Sequence, residues 1–195
     1  MPNFYPFLIY VLITTFTPGP NNIMSMVSGI RNGYRKSLRF LFGIISGFFV
    51  VMVICGILNI SMASLIPASE KWLKIFGAAY MIYLAYHVVR SGPMNHTDEP
   101  QAEFSYWFGF SMQFLNVKGI LYGITVYSLF ITGVTKDPWI ILLFAVILAA
   151  VGFVAISSWA IGGNLTKTLA NKYSVILNYL MGGLLIYTAI TSLLK

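Results

Sequence analysis

Charged residues are so sparse along this chain that they leave apolar blocks as long as the ~20 residues an α-helix needs to cross a bilayer. Six such blocks can be marked: Phe4 to Gly29, Leu38 to about Leu65, Trp72 to Val89, Phe104 to Gly133, Trp139 to Ile161 and Tyr173 to Leu194. Of the 195 residues, 58% are hydrophobic and 9% charged, with a mean hydropathy of +0.81; a soluble domain carries about 25% charged residues. Lipid cannot satisfy an open strand edge, so a spanning segment has to be a helix or part of a closed barrel. The blocks lack the dyad alternation of barrel strands. The expected fold is therefore an all-α integral membrane protein with six transmembrane helices.

The segment SGPMNHTDEPQAE, residues 91–103, is polar and acidic and divides the chain into halves of about 1–90 and 104–195. Both halves are expected to build one transmembrane domain over residues 1–195, with 91–103 as a flexible linker. Three spans per half means that the second half enters from the opposite side, so two similar halves form inverted three-helix repeats. Arg31, Arg35, Lys36, Arg39, Arg90, Lys167 and Lys172 fall on one side, against Lys71, Lys74, Lys136 and Lys195 on the other. The excess marks the first connection as cytoplasmic and puts both termini outside. No Lys or Arg precedes the first block and no small-residue cleavage site follows it, so it reads as a retained helix rather than a signal peptide.

Two of the blocks are interrupted. FTPGPNN, Phe16 to Asn22, places Pro18, Gly19 and Pro20 inside the first. The prolines lack N–H groups and clash with the preceding turn, so carbonyls near Thr14 to Phe16 lose their partners. Such a break is tolerated in a membrane only against protein or a watery cavity. Asn21 and Asn22 follow at once, placed either to cap the restarting helix or to face a solute. The restarted helix would present its N-terminal N–H groups to the cavity, an anion-attracting arrangement. The matching segment of the second half is QFLNVKG, Gln113 to Gly119, with Asn116 and Lys118 at the middle of the fourth block. A charge at that depth costs about 2.5–3.5 kcal/mol on insertion scales. Lys118 should therefore face the interior, either as a glue for carbonyls freed at the other break or as a ligand for an anion. Paired interruptions at corresponding positions point to a transporter's binding site near the midplane.

Other features have plainer readings. Gly43 and Gly47, and Gly119 and Gly123, are spaced for close helix packing. Trp72, Trp107, Trp139 and His87 lie near block ends, where interfacial anchoring is the default. Gln113 and Asn116 can also bridge helices, and Tyr80 and Tyr83 can reach a cavity. Cys55 is the only cysteine and reads as a small packing residue. Glu70, Asp98, Glu99, Glu103 and Asp137 all fall in loops or at block ends. That leaves no carboxylate for a cation pathway or a buried proton carrier. No metal motif, nucleophile–base pair or phosphate loop is visible, so neither an enzyme nor a cofactor is expected. The net charge of +7 sits at block ends as headgroup contacts, with no basic stripe for nucleic acid.

TPGPNN at Thr17 to Asn22, the basic connection with a Gly-rich second block, and QFLNVKGILYGIT at Gln113 to Thr125 resemble the LysE/RhtB family of amino-acid exporters. The form with NVK and ILYG is similar to the cysteine/O-acetylserine exporter branch. The resemblance covers essentially the whole chain. It implies export of an amino acid or close derivative across the bacterial inner membrane by a multi-pass protein, driven by the proton gradient. By motif position it picks out Pro18, Gly19, Pro20, Asn21, Asn116 and Lys118. The absence of buried acids suits a neutral substrate better than lysine or arginine. The site expected is thus Asn21, Asn22, Asn116 and Lys118, around the break at Pro18, Gly19 and Pro20, with the substrate carboxylate on the half-helix N-termini and Lys118. The partners expected are an amino acid, protons, the lipid bilayer and a second copy of the chain as a homodimer. The rival expectations are export of another small neutral or anionic metabolite, and a membrane scaffold that transports nothing.

Overall fold

Proline decides where the first helix stops. α1 runs Phe4–Phe16 and α2 begins at Pro20. Pro18 has no N–H for the carbonyl of Thr14, and its ring crowds that turn. Pro20 stands at the first position of α2, where an N–H would lack a helical partner anyway. A computed structural model of the chain describes residues 4–61, 66–90, 104–132, 134–166 and 173–194, and all regular structure among them is helical. The linker 91–103 lies outside the described residues.

α2 extends over 42 residues to Ser61. The sequence predicts a loop between Gly29 and Leu38, but a single non-helical residue takes its place. Gly33 has φ 72° and ψ 161°, a combination open essentially to glycine alone. The bend is stapled by side chains. The Ser28 and Ser37 hydroxyls are 2.8 Å apart, Ser37 donates to the Gly33 carbonyl at 2.9 Å, and Asn32 donates to Ser28 at 3.4 Å. Arg31, expected among the headgroup contacts, is buried at this bend.

α3 covers Ile66–Arg90. α4, Tyr106–Ser111, starts at an N-cap, where the Ser105 hydroxyl accepts from the N–H of Phe108 at 3.2 Å. A 3₁₀ turn, Met112–Leu115, then leads through Asn116 into α5, Val117–Val126, with a bend of 62° between the two helical stretches. α5 ends in a π turn, Tyr127–Ile131, in which the Tyr127 carbonyl accepts from both the N–H and the hydroxyl of Thr132. α6, Pro138–Leu165, starts with proline at its N-terminus and Asp137 accepting from the N–H of Trp139 at 2.9 Å. α7 is Ser174–Leu194.

By length and composition α2 and α6 can each cross a bilayer, and the bent stretch Tyr106–Leu115 with Val117–Ile131 can serve as a third span. The outer faces agree with a lipid solvent: Ile9, Ile13, Leu143, Val146, Val154, Ile176 and Tyr187 are all exposed, a density of apolar surface that a soluble monomer rarely carries. Trp72, Trp107 and Trp139 are exposed near helix ends, and His87 is exposed with its ring edge-on to Tyr83.

The most extensive contact joins α2 to α6, α4 lies on the second half of α2, and α3 pairs with α7. Gly43 and Gly47 permit the α2–α4 approach: a Cβ on Gly43 would fall on the Tyr106 carbonyl and one on Gly47 within 2.5 Å of that of Phe110. A Cβ on Gly123 would lie 2.7 Å from Met52, whereas one on Gly119 would meet nothing nearer than 3.3 Å. Two large apolar cores result among the described residues, beside a small cluster of Ala78, Met81 and Ala189. One joins Ile23, Ile30, Phe40 and Ile44 to Leu84, Ile156 and Leu185. The other joins Phe7, Val11, Phe48 and Met52 to Tyr122, Tyr127 and Ile141. Cys55 is free and buried in the second. Both helix breaks fall at the seam between these cores.

Candidate functional site

Breaking α1 frees the carbonyls of Thr14 through Pro18, and in an apolar surrounding each needs another donor. The structure supplies one for every position. The Thr17 hydroxyl donates to the Thr14 carbonyl at 3.0 Å. The Asn22 amide donates to the carbonyls of Thr15 and Thr17, both at 2.8 Å. The indole of Trp159, on α6, reaches the Phe16 carbonyl at 3.2 Å. The Lys118 ammonium donates to the Thr17 carbonyl at 2.9 Å, the Thr17 hydroxyl at 3.0 Å and the Pro18 carbonyl at 3.1 Å.

The two breaks are locked by amides. Asn21 donates to the Gln113 side-chain carbonyl at 2.9 Å, and Gln113 donates back to the Asn21 side-chain carbonyl at 3.0 Å. Asn116 donates to the same Asn21 oxygen at 3.0 Å, while its own oxygen caps α5 by accepting from the N–H of Gly119 at 3.3 Å. Gln113, which also donates to the Gly109 carbonyl at 3.1 Å, is 1% exposed.

Between the breaks lies a cavity of about 60 Å³, room for about four waters. Gly19, Pro20, Asn21, Asn22, Asn116 and Lys118 line one side. Ile44, Ile45, Phe48, Gly152 and Ile156 form an apolar wall, and Thr14, Thr15, Gly119 and Tyr122 complete it. Asn21, Asn22, Asn116 and Lys118 thus meet at one place, with the break residues beside them; Pro18 contributes its carbonyl to Lys118 rather than a wall. Tyr80 and Tyr83 are stacked on each other and line no part of it.

Counting donors separates framework from free groups. Both amide protons of Asn22 are engaged by carbonyls, and the three Lys118 donors have three acceptors. Of the open alternatives for Lys118, the glue for freed carbonyls is the contact observed. What the breaks leave over is the start of α2: the N–H groups of Asn21 and Asn22 take no partner among the described residues. The charges also leave a remainder. The end of α1 and the start of α2 carry about half a charge each, of opposite sign, so they nearly cancel. The ammonium remains, half-buried, and no carboxylate lines the cavity. The arrangement favours an anionic group. Among the described residues, no cluster of three or more His, Cys, Asp or Glu could hold a metal ion.

Trp159 and Tyr122 escape a reading of the sequence for breaks and charges. Trp159 looks like any residue of an apolar helix. Tyr122 had a signal, because it lies four residues after Lys118 and so on the same face of α5.

The family model described as LysE type translocator matches residues 12–195. A cysteine/O-acetylserine efflux protein of Klebsiella pneumoniae is 40% identical over 185 residues, 94% of this chain and 93% of the relative. Proteins of the same name in Escherichia coli K12 and Shigella flexneri are 38% identical over 185 residues, covering 94% of both chains. No solved structure matches. A match over nearly the whole length, through both breaks, shows that this chain belongs to the LysE-type translocator family.

Proposed function

We propose that this protein exports small neutral amino acids of the cysteine and O-acetylserine class from the cytoplasm across the bacterial inner membrane. Amino-acid export follows from the family and from the efflux proteins it resembles. The observation that carries the substrate class is the cavity at the joined breaks: one ammonium, two N–H groups at a helix start, an apolar wall and no carboxylate. The free N–H groups at the start of α2 hold the substrate carboxylate, and the unneutralised charge of Lys118 attracts it. The apolar wall takes a short side chain, and a cationic one would lack a counter-charge.

The architecture proposed is six spans in two inverted three-helix repeats, with the first and fourth spans broken near the midplane and both termini outside. Its support is the position of the breaks, each early in its own half and each followed by a helix N-terminus at the shared cavity. Coupling to the proton gradient belongs to the same proposal and rests on the family resemblance.

Efflux from proteoliposomes loaded with labelled cysteine, O-acetylserine, lysine or a non-amino-acid anion tests the reading. Faster release of the first two than of lysine is expected, with acceleration by an imposed pH gradient. Release of none of them would leave a scaffold, and release of the unrelated anion alone would make the substrate another metabolite.

A further inference from the structure

Glycines serve two different ends where α6 packs on α2. A Cβ on Gly163 would fall on the Met26 carbonyl, and one on Gly29 on the Ala160 carbonyl. These two glycines let the helix backbones approach, as small residues do at helix interfaces in membranes. Gly152 differs. It is buried and lines the cavity, yet a Cβ there would meet side chains first: Ile45 Cδ1 at 3.2 Å and the Phe48 ring at 3.7 Å. The terminal methyl of an isoleucine yields by a small rotation of its side chain. Helix packing therefore does not call for glycine at 152, and glycine is the poorest helix former after proline. Both side chains that the Cβ would touch belong to the apolar wall of the cavity. The missing side chain leaves its room to that cavity.

We propose that Gly152 sets the size of the substrate side chain, by keeping open the part of the wall bounded by Ile45 and Phe48. The proposal rests on the reading of the cavity as the amino-acid site. With the carboxylate at the start of α2, the side chain is what the wall has to accommodate. Volume then decides. The cavity measures about 60 Å³, room for about four waters, so a methyl group added at 152 removes a substantial share of it. Gly119 leaves similar room at the other edge of the Phe48 ring, where a Cβ would lie 3.7 Å from the ring. That Cβ would also press on the Asn116 amide nitrogen at 3.3 Å, and this amide joins the breaks. Bulk at 119 would therefore disturb the framework as well as the cavity. Bulk at 152 meets the wall alone, which makes it the position where size is separated from framework. One methylene in an apolar pocket changes discrimination by about 10–200-fold.

The test is the selectivity of Gly152→Ala in proteoliposomes, read as the ratio of O-acetylserine to L-cysteine efflux. The acetyl ester is the bulkier side chain, so the ratio should fall about tenfold. The melting temperature should stay the same or rise, since alanine is the better helix former. Ile45→Val removes the Cδ1 methyl that the new Cβ would meet. Adding it to Gly152→Ala should therefore return most of the room and restore most of the ratio. An unchanged ratio in the single variant, with both substrates slowed together or neither, would overturn the proposal while leaving export intact. A lowered ratio that Ile45→Val does not restore would overturn it as well, because the effect would not be one of room. Loss of folded protein in Gly152→Ala would make Gly152 a packing residue, with the same consequence. Failure of the wild-type protein to move both substrates would instead sink the reading of the cavity itself.

Discussion

The ammonium of Lys118 and the carbonyl oxygen of Thr17 lie 2.9 Å apart, tying the start of α5 to the end of α1. The contact joins the two breaks, because Thr17 ends one helix and Lys118 begins the other. It also explains how the charge is tolerated. Three oxygens replace part of its hydration shell, and the carbonyl end of a helix favours a cation. No oxygen among the three is ionised, so the ammonium keeps an unneutralised charge beside the cavity.

Replacing Lys118 with Met should remove that charge, leave the Pro18 carbonyl without a donor and leave the Thr17 carbonyl to the Asn22 amide alone. Hydrogen bonds from charged groups contribute about 1.5–3 kcal/mol, so efflux should fall about ten- to a hundredfold. The melting temperature in detergent should fall by a few degrees as well. Efflux at the wild-type rate by membrane-inserted Lys118→Met would remove the ammonium from the site.

Gly19 separates transport from stability. A Cβ built there would lie 2.8 Å from Lys118 Cδ and 3.0 Å from its Nζ. The far end of a lysine moves aside easily, so Gly19→Ala should cost less than about 1 kcal/mol in stability. It would nevertheless crowd the Lys118 side chain and shift the ammonium relative to the cavity while its acceptors stay within reach, and efflux should drop severalfold. Paired melting and efflux measurements check this; a variant that lost both in proportion would show that Gly19 acts only through folding.

Much of this site was legible because its causes are local. Proline acts on its own turn, so the end of α1 near Pro18 followed from the sequence. Asn116 and Lys118 stood out against their apolar neighbours. The kink at Gly33 was not legible, because the Ser28–Ser37 bond that holds it closes only once both halves of α2 are formed. Nor was the partner of Asn21. Pairing with Gln113 depends on the relative register of two helices far apart in sequence, which no local pattern encodes. Trp159 was hidden for the same reason: its indole matters only where α6 passes the Phe16 carbonyl.

The Asn21–Gln113 pair should behave as one unit in a double-mutant cycle. Asn21→Ala strands amide groups of both Gln113 and Asn116, and each buried group left without a partner costs about 1–3 kcal/mol. Gln113→Leu strands Asn21 in turn. The double variant should therefore cost less than the sum, by an interaction of about 0.5–3 kcal/mol. Thermal unfolding of the four proteins in one detergent measures it, and additive effects would mean that the amides do not hold the breaks together.

Gly33 tests whether the bend in α2 is required by the fold. Its φ of 72° and ψ of 161° exclude a side chain for backbone reasons alone, and a Cβ would also approach the Asn164 side-chain oxygen to 3.3 Å. Gly33→Ala should cost about 1–3 kcal/mol. A chain that escaped this by straightening α2 would pull apart Ser28 and Ser37, whose hydroxyls meet across the bend. Ser37→Ala should therefore destabilise the wild-type protein, by about 0.5–1.5 kcal/mol, yet have less effect once Gly33 has been replaced. Melting temperatures for both singles and the double decide it: an undiminished effect of Ser37→Ala in the alanine-33 background would show that the bend survives without glycine.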